Sequence, residues 1–120
     1  IFDKTREWLD EYFSGRIPSF TPEFDISSLT PFQQRVAALT LGIHYGKTAT
    51  YGEIADIIAA ERGMTKMSSR AVGGAVGKNP ICIIIPCHRV LGANGAITGY
   101  GGGISNKIAL LNIEKIPYRL

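Results

Sequence analysis

A thiol, an imidazole and a guanidinium stand in a row at Cys87, His88 and Arg89, directly after Ile83-Ile84-Ile85-Pro86. A cysteine held beside a histidine is the raw material of a sulfur nucleophile, because the thiolate is the reactive form and a neighbouring base generates it. The three isoleucines read as a short buried strand, since β-branched residues fit a packed, pleated surface. Pro86 ends that strand by removing a backbone donor. The same residues also fit a buried structural cysteine followed by a surface His-Arg pair, cysteine being among the residues most often buried. On this stretch alone both readings stand.

Other residues carry weaker chemical signals. Glu114 falls near the end of a helix, where its charge opposes the helix dipole, so it needs a compensating partner. Ile97 through Gly103 is a glycine loop around one aromatic. It lacks the Lys-Ser/Thr pair of a phosphate cradle, and its glycines better suit a flat ligand approaching the backbone. His44 has no second ligand type near it and reads as a surface or packing residue rather than a metal ligand. Cys82 and Cys87 lie at odd spacing, which puts strand neighbours on opposite faces. No disulfide is expected between them, and the pattern suits a reducing, cytosolic setting.

The elements that must position these groups are mostly helical. Residues 3–14 place Trp8, Leu9, Tyr12 and Phe13 on one face of an amphipathic helix ended by Ser14-Gly15. Residues 16–29 look extended, with Phe20, Phe24 and Ile26 packing along a surface. Thr30-Pro31-Phe32-Gln33 and Thr50-Tyr51-Gly52-Glu53 are capping-box patterns that open two helices. Ser68-Ser69 caps a third, Arg70 to Gly77, before Lys78-Asn79-Pro80 breaks it. Three glycines in that helix cost roughly 1 kcal/mol each against alanine. Such a helix is either packed tightly on another helix or built to meet a bulky partner. Two capped helices joined by a glycine-containing turn also resemble a helix-turn-helix. Val90-Leu91 is a second short strand, Ala93 to Ala96 a turn, and Ser105 caps a last helix through Ile108, Leu110, Leu111 and Ile113.

The length of 120 residues suits one domain with a normal core, and 45% of the residues are hydrophobic. No apolar run approaches the roughly 18 residues of a membrane span, and no signal-peptide pattern opens the chain. The first residue is Ile, which suggests a piece of a longer protein. Residues 1–29 carry three basic and six acidic side chains, and the remainder ten basic and four acidic. A basic body attracts polyanions, although this excess alone is weak evidence for nucleic acid. The shift near 28–30 marks a boundary between residues 1–29 and 30–120.

In order, Arg70-Ala71-Val72-Gly73-Gly74-Ala75-Val76, Asn79-Pro80, Ile85-Pro86-Cys87-His88-Arg89-Val90 and Gly99-Tyr100-Gly101-Gly102-Gly103 closely resemble the methylated-DNA–protein-cysteine methyltransferases, or O6-alkylguanine-DNA alkyltransferases. The likeness covers about residues 30–116. It implies a mainly α fold with a very short β element, the helix-turn-helix, winged-helix-like C-terminal domain of that family. Residues 1–29 would be the terminal helix and connector of a largely absent N-terminal domain. It further implies irreversible transfer of an alkyl group from guanine O6, and from alkylthymine O4, to Cys87 after base flipping. His88 would take the thiol proton through a bridging water, oriented by Glu114, while Asn79 joins the recognition helix to the active site. By the same resemblance Ala71, Gly73 and Gly74 meet the minor groove of double-stranded DNA. Arg70 replaces the flipped nucleotide, and Tyr51 crowds its phosphate. Tyr100 donates to the base, the Val90 and Cys87 carbonyls accept from its amino group, and Lys107 lies near the pocket floor.

Gly101 departs from the family pattern, leaving only a backbone N–H where many relatives place a side chain. The connection from Tyr51 to Arg70 is also longer than in some relatives. No metal and no cofactor are implied, and the resemblance points to a cytoplasmic monomer, nucleoid-associated in a prokaryote. Two other readings compete. One is a lesion-binding protein without chemistry, like alkyltransferase-like relatives with tryptophan at the acceptor position, against which Cys87 speaks. The other is a Cys-His hydrolase, which would need an oxyanion hole that nothing in the sequence supplies.

Overall fold

The computed structural model describes residues 2–22, 24–79, 81, 83–97 and 103–119. Five helices carry the fold: α1 (Phe2–Phe13), α2 (Pro31–Leu41), α3 (Tyr51–Glu61), α4 (Ser69–Val76) and α5 (Ile104–Ile113). Two strands of two residues each, β1 (Ala49–Thr50) and β2 (Val90–Leu91), pair in parallel with Ala49 opposite Val90 and Thr50 opposite Leu91. The mainly helical expectation holds. Among the described residues no helix is long and apolar enough to cross a membrane.

Local chemistry sets the helix starts as expected. Thr30 and Thr50 each accept the backbone N–H three residues on, and Gln33 and Glu53 return the bond to the cap N–H. Both are complete capping boxes, which satisfy two orphan donors at once. Ser68 caps α4 through Ala71 N–H. The start of α5 differs from expectation. Ser105 lies inside the helix, which begins at Ile104 after Gly103, and no side chain caps it. Gly103 has φ 96°, a left-handed value that costs glycine nothing.

The core between α2, α3 and α4 is built from Val36, Ile54, Ala55, Ile58, Val72, Ala75 and Val76, and it closes over Cys87 and Val90. A second cluster joins Trp8 and Tyr12 of α1 to Leu110 of α5, with Phe20 packed against it. The β1–β2 ladder matters because it ties the entry of α3 to the residues that follow Cys87. The site is thus strapped to the helix-turn-helix by backbone hydrogen bonds.

The expected strand over Ile83–Ile85 does not form. Ile83 and Ile84 lie in a turn, with Ile83 at φ 75°, and Ile85 makes only an isolated bridge. A β-branched residue at positive φ is strained, so surrounding structure must hold it there. Ile81 O accepts Ile85 N–H at 3.0 Å, and Asn79 Nδ2 donates to Ile85 O at 2.8 Å. Tertiary bonding therefore overrides the β-propensity of the run. Pro86 acts differently from a strand terminator. Its φ −80° and ψ 65° are those of an inverse γ-turn, closed by Cys87 N–H to Ile85 O at 2.7 Å.

Candidate active site

That γ-turn delivers Cys87 into a single 3-10 turn, Cys87–Arg89, whose three side chains are all buried. Cys87 is 3% exposed and His88 0%. The alternative of a surface His-Arg pair is thereby overturned, since Arg89 is itself only 7% exposed. Burying a guanidinium is costly without an anion to receive it. The anion is Glu114, which caps the end of α5.

Glu114 is met by four residues from three parts of the chain. Oε1 accepts Arg89 Nε at 2.8 Å and Gly46 N–H at 3.0 Å. Oε2 lies 2.6 Å from His88 Nε2, accepts Tyr12 Oη at 2.6 Å, and accepts Arg89 Nη2 at 3.1 Å. Arg89 also donates to Ile43 O at 2.7 Å and lies over the Tyr45 ring. The partner that the helix dipole demanded for Glu114 is therefore Arg89, with His88 and Tyr12 added.

Burial alone would raise the Glu114 carboxyl. Hydrogen bonds from His88, Arg89, Tyr12 and Gly46 outweigh it and hold the group at about 2. His88 moves the other way from a simple ion pair. Burial lowers it, opposed by Glu114, and the Arg89 and Lys107 cations lower it further. We take His88 as neutral beside an ionised Glu114, because Arg89 already balances the carboxylate. A neutral imidazole next to an acceptor-only oxygen carries its proton on Nε2. Nδ1, which is buried and has no hydrogen-bond partner among the described residues, then holds the basic lone pair.

Lys107 is the cation coupled to Cys87. It is 0% exposed, and Nζ donates to Val90 O at 2.9 Å and stands 5.9 Å from the centre of the Tyr51 ring. Burial lowers Lys107, while a negative charge on Cys87 would raise it. The coupling is reciprocal, so a charged Lys107 favours the Cys87 thiolate. Val90 O, the carbonyl expected to meet a base, thus has one lone pair already engaged by Lys107. The Cys87 carbonyl likewise accepts Val90 N–H.

Asn79 sits where expected, between α4 and the active turn. Its Oδ1 accepts Ile81 N–H at 2.9 Å while Nδ2 holds Ile85 O. One amide therefore fixes both ends of the strained turn that presents Cys87. Tyr51 opens α3, and Arg70 and Ala71 are exposed at the first turn of α4. A Cβ on Gly73 would stand 3.8 Å from the Tyr51 ring, an ordinary contact, and one on Gly74 would meet nothing within 4 Å outside its own helix among the described residues. Tight helix packing therefore does not require either glycine. Tyr100 and Gly101, expected in the pocket, lie outside the described residues, as does Cys82.

Two members of the network, Arg89 and Tyr12, were not expected from the sequence to meet Glu114. The unmatched charge of Glu114 was a signal for Arg89, the nearest cation to His88. Tyr12 gave only a hydrophobic-face signal, although tyrosine carries a polar tip that seeks a partner when buried. Among the described residues no group of three or more His, Cys, Asp or Glu is placed to hold a metal.

Residues 31–116 match the family model described as 6-O-methylguanine DNA methyltransferase, DNA binding domain. The methylated-DNA--protein-cysteine methyltransferase of Mycobacterium tuberculosis is 52% identical over 114 residues, 95% of this chain and 66% of that protein. Its counterpart in Haemophilus influenzae is 45% identical over 118 residues, 98% of this chain and 63% of the relative. The chain thus spans just under two thirds of the length of these relatives. The fold is similar to that of Mycobacterium tuberculosis OGT in complex with DNA, with TM-score 0.84 and 52% identity over 95% of this chain and 67% of that one. It is also similar, at TM-score 0.57 and 31% identity, to S. pombe Atl1 in complex with damaged DNA containing O6-carboxymethylguanine, over 74% of this chain and 81% of that one.

Proposed function

The chain belongs to the methylated-DNA–protein-cysteine methyltransferase family, and from that premise we propose that it repairs alkylated DNA by moving an alkyl group from guanine O6 to Cys87. The observation that carries this reading is the buried chain Cys87, His88, Glu114, Arg89, which supplies a nucleophile, a neutral base and a fixed anion. His88 Nδ1 takes the thiol proton, through a bridging water. The sulfur lone pair attacks the alkyl carbon, the carbon–oxygen bond breaks, and its electrons remain on the guanine, which takes up one proton. The product thioether has no water-labile bond. Each molecule therefore reacts once. Alkylthymine O4 presents the same electrophile and is included in the proposal.

The target atom is inside a duplex, so the nucleotide must leave the stack. In this reading α4 lies in the minor groove of double-stranded DNA. Ala71, Gly73 and Gly74 allow close approach, Arg70 fills the vacated stack, and Tyr51 crowds the phosphate. Tyr100 and the Gly101 N–H contact the base, and Lys107 stabilises the negative charge that develops near Cys87. The exposure of Arg70, Ala71 and Gly74 on one short helix supports this assignment. The protein acts as a cytoplasmic monomer, nucleoid-associated in a prokaryote, with residues 1–29 as a connector unit and residues 30–120 as the catalytic unit.

Gly74→Ala separates folding from binding. Beyond its own helix the added methyl meets no atom within 4 Å among the described residues, and it should stabilise α4 by about 0.5–1 kcal/mol. A methyl on the face that meets DNA should nevertheless weaken the complex, as read by fluorescence anisotropy on a duplex. A more stable variant with unchanged affinity would remove Gly74 from the interface.

The reaction itself is tested by intact mass after incubation with duplex DNA containing O6-methylguanine. The expected result is a stoichiometric gain of one methylene, localised to the Cys87 peptide. Tight binding with no gain would favour the lesion-binding reading, which the likeness to Atl1 keeps in view.

A further inference from the structure

Tyr12 stands outside the residues matched by the family model, on α1, yet it reaches the centre of the site. Its side chain is 0% exposed. The ring is stacked on Trp8, with centroids 5.4 Å apart and planes 7° from parallel, and it meets Tyr45 edge-on. The hydroxyl has two near neighbours, Glu114 Oε2 at 2.6 Å and His88 Nε2 at 3.3 Å. This geometry is not that of a packing residue with an idle polar tip. The hydroxyl occupies the same carboxylate oxygen that holds the imidazole.

We propose that Tyr12 is a positioning residue for the transfer reaction, setting the proton affinity of His88 by sharing Glu114 Oε2 with its Nε2–H. This inference rests on the reading of His88 as the base that activates Cys87. The physical argument starts from the oxygen. A carboxylate oxygen donated to by a phenol has less charge to offer a second donor, and hydrogen bonds to charged groups are the strong ones. The imidazolium depends on that charge more than the neutral imidazole does. Arg89 Nη2 also reaches Oε2 at 3.1 Å, and the phenol, as a further donor there, disfavours protonation of His88 and keeps Nδ1 available as a base at lower pH.

The hydroxyl is committed to donating. Burial raises the Tyr12 phenol, and the hydrogen bond and negative charge of Glu114 raise it further, so it stays protonated across the working range. Among the described residues, three charged groups act on His88. Glu114, capping α5, favours the imidazolium, while Arg89 on the same turn as His88 and Lys107 on α5 oppose it. Tyr45, from the loop after α2, faces Tyr12 and lies under Arg89. The reacting Cys87 adjoins His88 in the chain. Of these, Tyr12 is the neutral group within hydrogen-bond distance of both His88 and Glu114.

The test uses Tyr12→Phe, which keeps the ring and removes the hydroxyl. The chain has two histidines, His44 and His88, so ring resonances of isotopically labelled histidine report His88 directly. The His88 midpoint should rise by about one pH unit in the variant, the size expected when a charged group loses one hydrogen bond. The acid limb of the rate of methyl transfer from O6-methylguanine duplex should move up with it, leaving the alkaline rate unchanged. At a pH on that limb the variant should be about tenfold slower. A uniform loss at every pH, or no shift of either profile, would overturn the inference. If wild type transfers no methyl, the transferase reading fails while the His88 midpoint still judges Tyr12. Should Tyr12→Phe not fold, the wild type suffices. The hydroxyl proton of Tyr12 should then shift with the His88 midpoint, and its indifference to that titration would sink the proposal.

Discussion

Cys87→Ala should abolish alkyl transfer completely while leaving the fold and lesion binding in place. The sulfur is the only part of the side chain that does chemistry. The replacement leaves Cβ in a core lined by Val36, Ile54, Val72, Ala75 and Val90. The void is about the size of a methyl group and should cost about 1 kcal/mol. That loss is small against the typical stability of a domain, about 5–15 kcal/mol. In the proposed complex, binding rests on α4 and on phosphate contacts, none of which involves the sulfur. Affinity for a lesion duplex should therefore match that of wild type and fall with added salt.

Cys87→Ser sharpens the same experiment. It restores an atom of similar size, but a hydroxyl is a weak nucleophile at its ordinary acidity. Lys107 and His88 can favour a thiolate, because a thiol gives up its proton within a few units of neutrality. They cannot do so for an alcohol. Both variants should show no mass gain under conditions where wild type reacts to completion. A stoichiometric gain in Cys87→Ala, or one in Cys87→Ser outside the peptide that carries position 87, would move the acceptor elsewhere, and Cys82 would be the first peptide to examine. Such a result would dismantle the assignment of Cys87.

What was legible in the sequence was local. The capping boxes at Thr30 and Thr50 are written in four consecutive residues, and the structure forms both. The Cys87-His88-Arg89 run stays within one turn, so its chemistry could be read before its surroundings were known. The strand β1 was hidden because two residues carry no periodicity. The isoleucine run misled for a related reason. Its propensity is real, but Asn79 and Ile81 supply bonds that bend Ile83 into a left-handed turn. The site's supporting groups were the least legible. Tyr12 and Glu114 are separated by 102 positions, and their bond depends on α1 docking against α5. Amphipathic spacing places Tyr12 on a buried face without saying what its hydroxyl will meet. Arg89 was obscured by its type, since arginine is ordinarily a surface residue. The dipole argument did identify Glu114 as a residue in need of a partner. It named the requirement but not the group that fills it.

That partnership makes Glu114→Gln the substitution with the largest expected cost in stability. Glu114 is 5% exposed and Arg89, which it receives, 7%. Glutamine keeps the shape but removes the charge, and its amide sets a donor against Arg89, His88 or Tyr12, all of which are donors here. Removing one member of a buried pair typically costs about 3–5 kcal/mol, because the other charge remains uncompensated. For a chain of this size that corresponds to a melting temperature lower by roughly 10–20 °C. Acid should reveal the same group in the wild type. Glu114 is held at about 2 in the fold against an ordinary value of 4.5. Its contribution is thus fully present above about pH 4.5, shrinks as the unfolded chain alone binds the proton, and is lost as pH falls through about 2. His88, lowered by burial from 6.5, has the same sign and begins its loss at higher pH. Denaturant unfolding across this range should therefore show two stages for wild type. Glu114→Gln should enlarge the first stage, because the carboxylate no longer favours the imidazolium, and lose the Glu114 part of the second. A variant as stable as wild type at neutral pH, or one with the same slope below pH 4.5, would show that Glu114 does not anchor Arg89 and His88.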